Sequence, residues 1–496
     1  YFGYEFPCVY TWGVPFCIKD RGNVTRAAGV TGTMYLAFPN ACLAPLMLAT
    51  ALLCSPAWPQ DPDGSVVAED IPLASDGAPT LEDVAEAAEL EPVPDESVAG
   101  GDEPAPRAEG DSATPPEQDP DEPLVIPDNQ AVIDYREAVA ELEDVAGPYG
   151  EGLSEKLLGL GLALQQQGRH VEAVAVFKRG VHLARINDGL YSGSQIPLLQ
   201  SQISSHLALG DYETADERQT YLYRVQRQAL DKGVVRAEAL MQQARWQRQA
   251  YELGLGEYGF TRLLAMWDLY RMALTDIADR EGETSPNLLQ PLYGMLQSQY
   301  LIAGFQGETA SGGFDNSAFG SRADDGRFNA YKSTAFKRGR SVINAIYNLN
   351  QETSGGDKVA AAQDLTLLGD WQFWHGMREG AMETYRSAIT ELAELDDAQQ
   401  QTDRLFGAPT VLPDVDGVRP LPPTTSPDMA DLLLEFMVTP GGRVVDLTRL
   451  DDNLENESKA NRLMRQLRKT RFRPRFEGVE PVETEVSVWA YDTAKW

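Results

Sequence analysis

Residues 157–180 read LLGLGLALQQQGRHVEAVAVFKRG and decide the fold of the longest part of this chain. Apolar residues recur every three or four positions on both sides of a central glycine, which is the spacing of two amphipathic helices joined by a turn. Two antiparallel helices cross closely only where small residues meet bulky ones. The residues predicted to form this contact and turn are Leu157, Leu160, Gly161, Gly168, Ala173 and Phe177.

The same spacing returns in a second stretch, residues 365–388. There Gln372 replaces one bulky residue, and the other key positions agree in size with the first stretch. Between the two stretches, Gly210 and Ala215 repeat the glycine–alanine spacing, although Gln219 stands where an aromatic residue is expected. The second set of predicted packing residues is Leu368, Gly369, Gly376, Ala381, Tyr385 and Ala388.

These stretches resemble the tetratricopeptide-repeat (TPR) family, whose helix pairs stack into an α-solenoid. We assign residues 129–400 to this TPR-like helical region. The resemblance implies a concave surface that binds a peptide or a protein; the alternative is a repeat region that serves only as a rigid spacer. Further helical runs, which can be paired as degenerate repeats around a Gly/Ser-rich loop, lie at 235–253, 258–280, 287–304 and 330–350.

The chain carries a strong acidic excess. Among its 496 residues, 42 are Lys or Arg and 75 are Asp or Glu, a formal charge of -33. Such a charge disfavours non-specific attraction to nucleic acid or to an anionic membrane, so no nucleic-acid partner is expected. Most of the excess lies in residues 58–128, where 13 prolines and 21 acidic side chains accompany one basic residue, Arg107. This composition predicts a disordered, acidic, Pro-rich linker.

Residues 1–57 have the features of a signal peptide. The apolar run 41–54 has the length of a signal-peptide core and is shorter than the roughly 20 residues that span a bilayer, so we expect cleavage after Ala57. All four cysteines lie within this segment, so the mature chain is expected to contain no disulfide. The first methionine is Met34, and the residues before it can be an over-extended start. Acylation of Cys54 and an uncleaved anchor are the alternatives, which leaves membrane attachment open.

Signals for catalysis and for cofactor binding are weak. Residues 254–259 match a glycine-rich dinucleotide fingerprint, but that loop needs a preceding strand and here follows a helical pattern, so we interpret it as a turn between helices. The four histidines lack partners at metal-ligand spacing. We therefore expect no catalytic residue, no cofactor and no metal, and a non-enzymatic protein. An enzyme with an unrecognised helical active site is the alternative.

A Pro-rich linker is predicted at 401–427, and the pattern then changes to that of a small α+β module, residues 428–496. A short apolar run at 432–438 is followed by alternation of apolar and polar residues at 443–450 and 481–490, as in strands, with one amphipathic helix between these two stretches. The predicted elements are strands at 432–438 and 443–450, a helix at 458–470 and a strand at 481–490. The order is β-β-α-β, so the expected fold is multidomain, a mainly α solenoid followed by a small α+β domain.

This module resembles the carboxyl-terminal domain of TonB and its relatives. The resemblance rests on the Pro-Gly-Gly-Arg-Val turn at 440–444, the Arg-Phe-Arg-Pro-Arg-Phe run at 471–476 and the Gly-x-x-Pro-Val element at 478–482. It implies a periplasmic domain that pairs with segments of outer-membrane receptors by strand addition, so the expected partner is a protein or peptide such as a TonB-dependent receptor. The residues predicted to bind it are Arg471, Arg473, Arg475, Val482, Glu483, Val486 and Val488.

Two features qualify this resemblance. TonB energisers keep an amino-terminal membrane helix with a histidine, whereas residues 34–57 contain no histidine, so energy transduction is not implied. The run 458–476 contains eight basic residues and no acidic one, which predicts either docking on an acidic partner or a solvated helix face beside a core. The sequence thus favours an exported envelope scaffold in the periplasm of a Gram-negative bacterium. The alternative is a purely structural scaffold without receptor coupling.

Overall fold

The computed structural model describes residues 128–256, 258–307, 319–420, 423–424, 430–451 and 456–492, and no side chain is described at 319–323. The predicted signal peptide, 1–57, and all of the predicted acidic linker except Asp128 lie outside the described residues. Within the described part, the fold is mainly α-helical, with a few small sheets near the carboxyl end. None of the described helices is long and apolar enough to cross a membrane.

Helices follow one another through the larger part of the described chain, and most pack chiefly against their neighbours in sequence. The exception is Ala335–Ser354, which packs mainly against Leu289–Gly304 and little against the intervening helix Phe319–Ser333. The turn expected at 254–259 lies between two of these helices. In chain order they are α1 Gln130–Ala146, α2 Leu153–Gln166, α3 His170–Asn187, α4 Gln195–Ala208, α5 Tyr212–Ala229, α6 Val234–Glu252, α7 Gly259–Glu281, α8 Leu289–Gly304, α9 Phe319–Ser333, α10 Ala335–Ser354, α11 Lys358–Trp374, α12 Arg378–Leu392 and α13 Ala398–Phe406.

Three of the helix pairs are joined by the same turn. Gly168, Gly210 and Gly376 each adopt a positive φ, of 73°, 74° and 88°, a conformation that glycine adopts without steric cost. In each turn the amide after the glycine donates to the carbonyl five residues earlier, over 2.9 to 3.0 Å. The alanines five residues after each glycine, Ala173, Ala215 and Ala381, are fully buried. The glycine–alanine spacing therefore corresponds to one repeated local geometry.

Close helix crossings occur where glycine faces an aromatic ring. A Cβ atom on Gly161 would lie 2.2 Å from Cε1 of Phe177, and one on Gly369 would lie 2.5 Å from Cε1 of Tyr385. Both rings are fully buried, the first between α2 and α3 and the second between α11 and α12. The two sequence stretches thus build equivalent contacts. Leu157, Leu160, Leu368 and Ala388 are also buried in these helix pairs.

Enlarging a buried alanine in one of these pairs should destabilise the protein. Ala173→Leu adds bulk at a fully buried position of α3, and overpacking of this kind typically costs about 1 to 3 kcal/mol. Ala175→Leu is the matched control, because Ala175 is exposed on the same helix. We expect thermal denaturation to show a lower melting temperature for Ala173→Leu only. Equal melting of the two variants would contradict the assigned packing.

The carboxyl-terminal module contains α14, Glu457–Lys469, and six short strands. Apolar residues of α14 pack on one face of the main sheet, where Leu432, Leu434, Phe436 and Val438 are fully buried at alternate positions. The strands are β2 Leu432–Val438, β3 Val444–Arg449, β4 Arg471–Arg473, β5 Arg475–Glu477, β6 Glu480–Val482 and β7 Ser487–Tyr491. The main sheet is antiparallel in the order β3-β2-β7.

The single last strand predicted at 481–490 is two strands in the structure. β6 pairs with β5, whereas β7 pairs with β2, and residues 483–486 connect them. Thr484 in this connection is buried, and its amide donates to the Val438 carbonyl at 3.0 Å. The alternation of valines is thus divided between two sheets, because the two halves of the segment have different pairing partners.

The predicted linker at 401–427 is largely folded where the structure describes it. Residues 401–406 belong to α13, and Thr410–Leu412 forms a strand, β1, that pairs with β4. Three apolar side chains of this segment pack in three different cores. Val411 packs with the apolar residues of β2 and α14, Leu412 packs among α11 to α13, and Val415 packs in the central helical cluster, which is formed mainly by α6, α7, α8 and α10. Apolar residues in this Pro-rich segment therefore join the module to the helices, and a fragment that begins at residue 428 would lack β1.

Candidate partner-binding surface

The outer edge of the main sheet is formed by β7. The Thr424 amide donates to the Ala490 carbonyl at 2.8 Å, on the side of β7 that faces away from β2. Hydrogen-bonding direction alternates along an antiparallel strand, so the main-chain groups of Val488 also point outward, whereas those of Ser487 and Trp489 point toward β2. Among the described residues, no main-chain partner occupies the outward groups of Val488, so these are the edge groups to which a strand could be added.

Exposed valines flank this edge. The exposed fraction is 55% for Val486, the residue just before β7, and 53% for Val488 within β7, and neither belongs to the apolar cluster beneath α14. Glu483 is also exposed, but it lies in the connection before β7. Val482 is half-buried in β6, where it pairs with Arg475. Of these four predicted partner-binding residues, the structure brings only the two valines to the β7 edge.

Arg471 is exposed, and its guanidinium also contacts the helical region. Its Nη1 atom donates to the carbonyl oxygens of Phe373, at 2.8 Å, and Trp374, at 2.6 Å. These carbonyls belong to the last turn of α11, where carbonyl groups lack helical partners and a cation is favourable. Arg471 thus caps a helix of the same chain.

Arg473, expected among the exposed cations, is buried in an ion pair. Its exposed fraction is 5%, and its Nη1 atom lies 2.6 Å from Oδ2 of Asp370 on α11. Nη2 contacts Oγ1 of Thr410 at 3.1 Å and Oδ2 of Asp414 at 3.3 Å. The Tyr385 hydroxyl donates to the other Asp370 oxygen at 2.8 Å. This position excludes Arg473 from docking, because its charge is already enclosed by the helices and β1.

The ionisation of Asp370 reflects this enclosure. Burial raises the pKa of Asp370 to about 6, against the opposing effects of the Arg473 charge and the Tyr385 hydroxyl. A buried carboxylate and guanidinium stabilise each other only when most of their hydrogen-bonding atoms are satisfied, and here both Asp370 oxygens have donors. The pair therefore holds the module and α11 together.

The exposed positive charge lies on α14. Arg475 is half-buried, and its Nη2 atom lies 2.9 Å from Oε1 of Glu477, so this predicted site residue is partly neutralised. The exposed basic side chains of α14 are Lys459, Arg462, Arg465, Arg468 and Lys469. An acidic partner would thus meet the exposed cations of α14 and the exposed Arg471, and not the buried Arg473. Among the described residues, no group of three His, Cys, Asp or Glu side chains is arranged to hold a metal.

The sequence patterns did not predict that the Pro-rich segment around residues 410–419 is part of the folded structure. Asp414 and Arg419 pair at 2.7 Å beside the buried Val415, in a stretch classed as linker because of its prolines. The sequence does show three apolar residues, Val411, Leu412 and Val415, within this Pro-rich stretch.

Comparison with models of known protein families found no match, and comparison with curated proteins found none either. Among solved structures, the chain is similar to the crystal structure of BtubC (BKLC) from P. vanneervenii. The identity is 13%, the similarity covers 60% of this chain and 95% of that chain, and the TM-score is 0.32. A similarity at this level supports no assignment of fold family or function.

Proposed function

We propose that this protein is an exported, non-enzymatic scaffold of the Gram-negative cell envelope, in which a TPR-like helical region supports a TonB-like module. The module binds an extended segment of an envelope protein, such as a TonB-dependent receptor. The observation that carries this proposal is the β7 edge, where Val488 has outward main-chain groups and an exposed side chain, as has Val486 just before the strand.

Strand addition fits this edge for two reasons. Main-chain groups at a sheet edge bond to any extended peptide, and side chains at alternate positions give specificity. Val486 and Val488 supply apolar contacts for such a segment. The exposed basic residues of α14 favour encounter with an acidic partner, because surface charge acts mainly on association rate.

One observation favours the purely structural alternative. Because β4 pairs with β1 and Arg473 pairs with Asp370, the module is tied to the helices instead of projecting on a linker. A module held in this way can serve as the end cap of the helical array without a receptor. Peptide binding at β7 distinguishes the two functions.

Blocking the β7 edge should abolish peptide binding. Val488→Pro removes the outward amide and leaves the bonds to β2 in place, since proline is tolerated at solvent-facing edge positions. We expect at least a tenfold loss of affinity, which corresponds to about 1.4 kcal/mol. The measurement is titration of the full chain with extended peptides derived from TonB-dependent receptors.

Val488→Thr is the matched control, because it keeps the amide and a β-branched side chain. It should bind nearly as tightly as the parent. If Val488→Pro retains the parent's affinity while circular dichroism shows a folded protein, the strand-addition mechanism is wrong. If no receptor peptide binds the parent, the structural alternative is favoured.

A further inference from the structure

A cavity of about 460 Å³ lies among α6, α8 and α11, away from the β7 edge. Its volume falls within the range of about 300 to 1,000 Å³ that is usual for ligand sites. The walls combine cations, amides and aromatic or aliphatic surface. The lining residues used in the argument below are Arg245, Arg248, Gln290, Tyr293, Gln297 and Leu367.

The chain's own segment 414–419 forms one wall of this cavity. Val415 anchors it in the central helical cluster, and Nε2 of Gln297 donates to the Asp416 carbonyl at 2.6 Å. Gly417 has φ of 79°, and a Cβ atom there would overlap Nη1 of Arg248, so the guanidinium lies directly on the peptide backbone. The cavity thus already holds a short acidic peptide by an apolar anchor, a main-chain hydrogen bond and an arginine contact.

The rest of the cavity is lined by further amide and arginine side chains, and no described residue of the chain fills the space beside them. Gln290 lies seven residues before Gln297 on α8, hence on the same helix face, and its exposed amide has no hydrogen-bonding partner among the described residues. Such an amide can bond a peptide backbone as Gln297 does. Tyr293 lies between them, with its side chain 38% exposed.

The cations of the cavity are incompletely neutralised. Arg419 is paired with Asp414 and Asp416, at 2.7 and 3.2 Å. Arg248 has only Glu252, at 3.6 Å, and the exposed Arg245 has no ionic partner among the described residues. Arg245 and Arg248 are three residues apart on α6, so their guanidinium groups can contact one ligand carboxylate.

We propose that this cavity is a second binding site, for an acidic peptide segment whose carboxylate contacts Arg245 and Arg248 and whose backbone bonds to Gln290. The peptide lies beside the chain's own segment 414–419, and it is bound by the same kinds of contact, an amide hydrogen bond to its backbone and an arginine contact. The site is independent of the β7 edge and does not require strand addition.

The test uses the full chain and a fluorescein-labelled octapeptide that alternates Asp and Val, followed by fluorescence anisotropy. The parent should bind this peptide saturably and bind the matched Asn–Val peptide at least tenfold more weakly. The double variant Arg245→Gln, Arg248→Gln should lose at least tenfold in affinity, and Gln290→Ala should lose several-fold. Circular dichroism melting of Arg245→Gln alone and of Gln290→Ala should match the parent, because Arg245 and Gln290 are exposed, so the loss of affinity in these two variants is not a folding defect.

The basic face of α14 provides the decisive control. The double variant Arg462→Gln, Arg465→Gln removes equal charge there and should bind the Asp–Val peptide within about twofold of the parent, as should Val488→Pro. The proposal is overturned if the parent shows no saturable binding, if the Asn–Val peptide binds equally well, or if the α14 variant loses as much affinity as the cavity variant. If receptor-derived peptides fail to bind at β7, the expected binding of the Asp–Val peptide in the cavity stays the same.

Discussion

Replacing Arg473 with methionine is expected to lower the free energy of unfolding by about 3 to 5 kcal/mol, since the change leaves a buried carboxylate without its cation. Arg473 is 5% exposed, and Asp370 is 2% exposed. Methionine fills a similar volume, so the loss is electrostatic rather than a packing defect. Denaturant unfolding followed by circular dichroism measures it.

Two further variants test this explanation. Arg475→Met removes a half-exposed arginine two residues away and should change stability by less than about 1 kcal/mol, because surface ion pairs contribute little. Adding Asp370→Asn to Arg473→Met removes the unpaired charge and should restore part of the lost stability. If the double variant is less stable than Arg473→Met alone, the uncompensated charge is not the cause.

The defect of Arg473→Met should depend on pH. Burial raises the pKa of Asp370 to about 6, and Arg473 opposes this rise, so its removal cannot lower the value. Without the Arg473 charge, which lowers it, the pKa of Asp370 in the variant lies above its value in the parent. Both folded proteins bind this proton more readily than the unfolded chain, so both gain stability as pH falls, but the variant gains more because its pKa is higher. We expect a smaller defect near pH 5 than near pH 8; an equal or larger defect at low pH would contradict this assignment.

Truncation of Phe177 to alanine is expected to cost about 3 to 5 kcal/mol, the usual range for a fully buried aromatic residue. The ring is fully buried and occupies the space beside Gly161, where even one added carbon would lie 2.2 Å away. Its removal opens a void at the crossing of α2 and α3, which rigid helices cannot fill by collapsing. Thermal and denaturant unfolding should both show the loss.

A compensating change and an exposed control complete this test. Gly161→Leu in the Phe177→Ala background should recover part of the stability, because it returns volume to the same space. Val171→Ala on α3 should have an effect within about 0.5 kcal/mol, since Val171 is 70% exposed. A Phe177→Ala variant that melts like the parent would show that the ring does not support this crossing.

Local features of this protein followed from the sequence because their causes lie within a few residues. The turns at Gly168, Gly210 and Gly376 need one positive φ each, and glycine supplies it. The apolar run of β2 predicts a strand, and the helical spacing in 157–180 places both helices. Periodicity over a few residues is enough for such elements.

Only the tertiary structure decides which of the basic residues near the end of the chain are buried and which are exposed. In sequence, Arg471, Arg473 and Arg475 look alike, yet one caps α11, one is buried and one is half-exposed. Asp370 lies 103 residues before Arg473, so no local pattern connects them. The same holds for the Pro-rich segment, whose β1 strand exists only because β4 pairs with it.

By itself, then, the sequence determined the helix pairs at 157–180 and 365–388, the glycine turns, and β2, β3 and α14 of the carboxyl-terminal module. Tertiary structure alone decided which arginine is enclosed, how the last strand divides between β5 and β2, and where segment 414–419 lies. The physical reason is the separation along the chain over which each interaction acts. Backbone preference and apolar periodicity act between near neighbours, whereas desolvation and strand pairing depend on which distant surfaces the fold brings together.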